Sequence, residues 1–156
     1  MSNRVETAPP WGALLALSMT VMVSFGVMLY GFSIFVTQEA AGADFSKTLL
    51  SAAFGGSVVT GGLLAIPIGS RTDRMGIRGA LALGGVMGGA GMVVFGTAQS
   101  PWQVLVSWWL FLGPAGALTY YEVAFIAVDQ WFTHSHRAKA LGTLTLIGGL
   151  AGIIFI

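Results

Sequence analysis

Long apolar runs separated by short polar clusters organise this chain, and their lengths rather than any fine periodicity predict its elements. Five runs can be drawn, over residues 11–36, 48–69, 77–97, 102–128 and 140–156. Each matches or approaches the roughly 20 apolar residues needed to cross a hydrocarbon core of about 30 Å. They are too long for membrane strands and carry no alternating polar residues, so a barrel is excluded; helices satisfy their own backbone groups in lipid. The predicted fold class is an all-α integral membrane protein, with an amino-terminal tail over 1–10 and a bundle of five transmembrane helices over 11–156.

Composition sharpens this picture. Hydrophobic residues make up 55% of the chain and charged residues 8%, whereas a soluble domain carries about a quarter charged. The few basic residues give the orientation, because Lys and Arg near span ends stay on the cytoplasmic side. Arg4, Arg71, Arg74, Arg78, Arg137 and Lys139 fall on one side and only Lys47 on the other. The reading is a multi-pass protein of the cell (inner) membrane with a cytoplasmic amino terminus, and this distribution points to no nucleic-acid partner. The first run is too long for a secretory leader, despite Ala41-Gly42-Ala43 behind it, and is read as a retained helix. Without cysteine there is no thiolate site or disulfide.

Glycine accounts for 23 residues, most of them inside the runs. Gly84/Gly88, Gly85/Gly89 and Gly148/Gly152 form small-xxx-small pairs that let helix backbones approach closely, either as plain packing or as sliding surfaces. The third helix, smooth on more than one face, is expected between neighbours. Trp11, Trp102 and Trp131 stand at predicted span ends as interfacial anchors, while Trp108 and Trp109 lie deeper as lipid-facing bulk or pocket walls. Pro67 and Pro114 interrupt two spans, and Pro114 between Gly113 and Gly116 makes the middle of the fourth helix the least regular stretch.

The cluster from Gly69 to Arg78 is predicted to be a short, tightly turned cytoplasmic loop. Gly69 and Gly76 would permit the turn, Asp73 would accept charge-assisted hydrogen bonds, and Arg74 and Arg78 would offer forked donors to a carboxylate. Asp129, at the cytoplasmic end of the fourth helix, is the candidate carboxylate. Together these residues could latch the bundle in one conformation and release it in another.

Gly69-x-x-x-Asp73-Arg74-x-Gly76-x-Arg78 after a second span resembles the 2–3 loop signature of the major facilitator superfamily of secondary transporters. Asp129-Gln130-Trp131-Phe132 with Arg137-Ala138-Lys139-Ala140-Leu141-Gly142 is similar to that superfamily's segment leading into helix five. Tyr30-Gly31-Phe32-Ser33-Ile34-Phe35, the glycine run from Gly84 to Met92, and Gly113-Pro114-Ala115-Gly116 followed by Tyr120-Tyr121 look more narrowly like the monocarboxylate-porter and oxalate/formate-antiporter branch. The resemblance implies the amino-terminal part of a twelve-helix transporter built from two six-helix halves, with alternating access and a solute held between the halves. It implies a truncated six-helix half partnered by a missing carboxyl-terminal half, moving a small organic anion such as a monocarboxylate by proton coupling or exchange. The chain departs from the pattern at Ile77, often basic in the superfamily, and at Trp109, where many proton-coupled exporters carry arginine. The first-helix cation of some carboxylate porters corresponds to Tyr30.

Glu122 is the one acidic residue well inside a span, next to Tyr120 and Tyr121. A carboxylate there costs a few kcal/mol on insertion scales and has to face a cavity, pair or stay protonated. Glu122, Tyr121 and Tyr30 are the candidate substrate or coupling residues; for Glu122 the alternative is a neutral carboxyl hydrogen-bonded within the bundle. Ser24, Ser57, Thr60 and Thr119 line the path or bond back to their own helix. His134 and His136 read as a solvated loop rather than a metal site, and no cofactor is implied. The spans hold no constellation able to activate a nucleophile, so an enzyme is not expected. The competing reading is a non-transporting scaffold or regulator that retains the half-bundle.

Overall fold

The computed structural model describes residues 10–42 and 45–155, and of 38–42 and 73–75 the backbone alone. Five helices are long and apolar enough to cross a membrane: α1 (Trp11–Thr37), α2 (Lys47–Thr72), α3 (Ile77–Gly96), α4 (Pro101–Trp131) and α5 (His134–Ile154). The described residues contain no strand, and the chain is a multi-pass membrane protein. Arg4, Asp73 and Arg74 lie outside the described side chains, as does Ala43 of the leader-like tripeptide.

α2 corrects the predicted loop. Its helix runs on from Lys47 through Met75 and passes through Pro67 without a break, so Gly69 is helical rather than part of a turn. The hydroxyls of Ser70 and Thr72 donate back to the carbonyls of Pro67 and Ile68 at 3.0 and 2.8 Å, which occupies them within their own helix. The whole reversal into α3 rests on Gly76, at φ 77° and ψ 152°. That conformation is essentially restricted to glycine because a Cβ would crowd the backbone.

At the opposite end, Ser46 starts α2 by accepting from the Leu49 amide at 3.2 Å. α4 begins at Ser100, with Pro101 at the first helical position and the Gln103 side chain accepting from the Ser100 amide at 3.1 Å. Both are ordinary ways of satisfying first-turn donors.

α5 starts six residues earlier than its apolar run, at His134 behind an extended Thr133. The polar stretch from His134 to Lys139 is therefore the first turns of a helix, not the solvated loop expected from its composition, because the hydrophobic criterion sees only the part inside lipid.

α4 is the hub. Of its apolar window 67% is buried, against 33% or less in the other spans. One core cluster gathers Leu14, Leu17 and Val21 of α1, Ile77 and Ala80 of α3, Val123 and Val128 of α4, and Leu144 of α5. A second, toward the other end, joins Leu50 and Ala53 of α2 to Val104, Trp108 and Leu112 of α4. Gly84 of α3 faces the α4 side, where an added Cβ would lie 2.7 Å from the Leu118 Cβ; Gly85 and Gly89 have nothing within 4 Å. Of the two smooth faces of α3, one packs on α4 and the other is open among the described residues.

Candidate functional site

The irregular part of α4 brackets Pro114. Residues Ser107–Leu112 form a π-helical turn, the helix resumes over Gly113–Thr119, and it stops at Tyr120. Proline lacks the amide that would bond the carbonyl four residues back, and its ring needs room on that side. Widening the preceding turn gives that room. Tyr120 is extended, at φ −81° and ψ −170°, and its ring folds back over Gly116, where a Cβ would meet the ring carbon Cε2 at 2.8 Å. The glycine therefore permits the break.

The helix restarts as Tyr121–Trp131 with no side-chain cap and with Glu122 in its first turn. An acidic side chain at that position is favoured by the unsatisfied amides and the helix dipole. Glu122 lines a cavity of about 290 Å³ between α2 and α4, together with Ser57, Gly61, Trp108, Gly113 and Tyr120. None of its lining residues is basic, and no cation pairs with Glu122 among the described residues. The Ser57 hydroxyl is occupied by the Phe54 carbonyl at 2.7 Å. Thr60 and Thr119 likewise bond back, to the Ser57 and Ala115 carbonyls at 3.1 and 2.8 Å.

Of the two alternatives for Trp108, lipid-facing bulk or a pocket wall, the structure shows the pocket wall: Trp108 lines the α2–α4 cavity and is 1% exposed, with Phe32 and Phe95 ring centroids at 5.3 and 5.7 Å. Its Nε1 is buried without a hydrogen-bond partner among the described residues. Neighbouring Trp109 donates to the Ala52 carbonyl at 3.3 Å. A sequence shows two adjacent tryptophans; only the helix phase, shifted by the π turn, decides which one enters the core.

The structure does not bring Tyr30 and Tyr121 to the Glu122 cavity. Tyr120 takes that place, because the extended backbone at 120 turns the two neighbouring rings apart. Tyr121 instead lies over Gly148 of α5, and Tyr30 over Gly152, where an added Cβ would meet the Tyr30 hydroxyl at 3.2 Å. Phe25 of α1 bridges both tyrosines, with ring centroids 4.2 Å from Tyr120 and 5.1 Å from Tyr121. The Gly148/Gly152 pair thus receives side-chain rings, not a helix backbone.

At the end of the bundle that holds Gly76, Asp129 pairs with Arg137 at 2.7 Å, across the turn from α4 to α5. The expected partner Arg78 sits in the first turn of α3, exposed, beside Gly76. With Asp73 and Arg74 outside the described side chains, Gly76, Arg78 and Asp129 are the members of the latch segment whose surroundings are defined, with Gly69 in the helix above. His136 takes a hydrogen bond with Ser135 at 3.1 Å through Nδ1. Among the described residues no group of three or more His, Asp or Glu side chains could hold a metal ion. No protein-family model matches the chain, and no curated protein is similar enough to it to show kinship.

Proposed function

We propose that this bundle is part of a secondary transporter that moves a small solute by alternating access. The observation that supports it is the interruption of α4 at Tyr120, which sets Glu122 at the start of a half-helix facing the α2–α4 cavity. Broken helices inside a membrane persist only where their freed backbone groups face protein or water, and transporters use them to contact solutes and coupling ions. Glu122 is the coupling group in this reading. With no basic side chain in the cavity lining, an organic anion such as a monocarboxylate would enter beside Glu122 together with a proton, so that solute and proton move as one.

The test is uptake of radiolabelled monocarboxylates into proteoliposomes holding the protein, with an inward proton gradient. Gradient-driven uptake that disappears in Glu122→Gln supports the proposal. Gradient dependence unchanged in Glu122→Gln would count against it, and a wild type without uptake when joined to its carboxyl-terminal half would leave the scaffold reading.

A further inference from the structure

A cavity of about 740 Å³ forms a groove between α1 and α3 at the Gly76 end of the bundle. One wall is Ala13, Ala16 and Leu17 of α1, the other is Leu81 of α3, and Trp131 of α4 stands at its edge. Thr20 also lines it, but its hydroxyl donates to the Ala16 carbonyl at 3.0 Å, so the wall is effectively apolar. Between the same two spans a second cavity of about 230 Å³ continues along Val23, Val27, Gly85 and Gly89. The pair of cavities makes a corridor between α1 and α3.

The mouth of the groove has different chemistry. Gly76 contributes no side chain there, and a Cβ at that position would have nothing within 4 Å. Arg78 lines the mouth, and the first-turn amides of α3 beside it have no side-chain cap. Among the described residues no acidic side chain lines the groove, and the carboxylate of Asp129, next to the lining residue Gln130, is engaged by Arg137. Trp131 and the Trp11–Phe132 edge contact, at 5.2 Å between centroids, mark this end as the depth of lipid headgroups.

We propose that the α1–α3 groove holds one anionic phospholipid, its phosphate on Arg78 and its acyl chain along Leu17 and Leu81. Charge complementarity selects this occupant: a guanidinium binds phosphate through paired donors, and basic pockets between spans at the membrane surface hold anionic headgroups. The site is separate from the α2–α4 cavity and does not depend on transport.

Native mass spectrometry of the purified protein, titrated with phosphatidylglycerol and with phosphatidylcholine, tests it. One phosphatidylglycerol is expected per chain, in preference to phosphatidylcholine. Arg78→Gln is expected to weaken it about fivefold, the worth of one interfacial basic charge. Lys139→Gln, exposed and outside the groove, leaves the affinity unchanged. Equal retention of the two lipids, or an unaltered affinity in Arg78→Gln, overturns the proposal. The absence of cysteine allows a second measurement with Gly85→Cys in membranes. A disulfide-linked dimer would put a second copy in the corridor and also overturn it, whereas a monomer with phosphatidylglycerol bound supports it.

Discussion

The ring of Tyr121 occupies the space that a side chain on Gly148 would fill: a Cβ built at 148 reaches the hydroxyl first and lies 2.9 Å from Cζ. This contact joins the second half of α4 to α5. Gly148→Ala is therefore expected to destabilise the bundle by about 1–3 kcal/mol through overpacking. Removing the hydroxyl in Tyr121→Phe should recover part of that loss. Thermal unfolding of the two single variants and the double variant checks it: additive losses would show that the two sites do not meet.

Gly76 and Gly69 look equivalent in the sequence and should respond oppositely to the same substitution. Gly76→Ala forces a Cβ into a backbone conformation that costs of order 1–3 kcal/mol. Gly69→Ala adds a methyl in open space within a helix and is expected to be neutral or stabilising by up to about 1 kcal/mol. Midpoint temperatures of the two variants in the same detergent decide between this and a loop in which both glycines are needed.

A sharper contrast is expected at the neighbours Gly61 and Gly62. A Cβ at Gly61 lies 2.9 Å from the carbonyl oxygen of Gly113, a backbone atom that cannot turn aside, whereas Gly62 has nothing within 4 Å. Gly61→Ala should push α2 from α4, with a loss at or above the upper end of about 1–3 kcal/mol, while Gly62→Ala leaves the packing intact. Yields of folded protein and unfolding midpoints of both variants measure the difference.

The Arg137–Asp129 pair is short but its side chains are 45% and 53% exposed. Solvent and salt screen such a pair, and its net worth falls in the range of about 0–1 kcal/mol. Asp129→Asn should change the unfolding midpoint little at low salt and not measurably at high salt. A large, salt-independent loss would show that Asp129 is held in a network beyond Arg137.

Much of the architecture was legible because membrane insertion is governed by length and hydrophobicity, which a sequence displays directly. Runs 77–97 and 102–128 lie within a few residues of α3 and α4. Boundaries failed where the helix outlasts the lipid. Helix formation needs only backbone hydrogen bonds, so α2 continues to Met75 and α5 begins at His134 although neither stretch is apolar. Faces were harder to read. Gly84 and Gly85 are adjacent and alike, yet one meets Leu118 and the other open space. The break at Tyr120 likewise reassigned the cavity from Tyr121 to Tyr120, since a single extended residue resets the phase of every side chain beyond it.

The one-residue joint at Gly76 limits how the bundle can move. Between the end of α2 at Met75 and the start of α3 at Ile77, only the two torsion angles of Gly76 are free to change without unwinding a helix. At this end α2 and α3 act as the arms of a hinge with a single pin, so a displacement of one arm is delivered to the other with little slack.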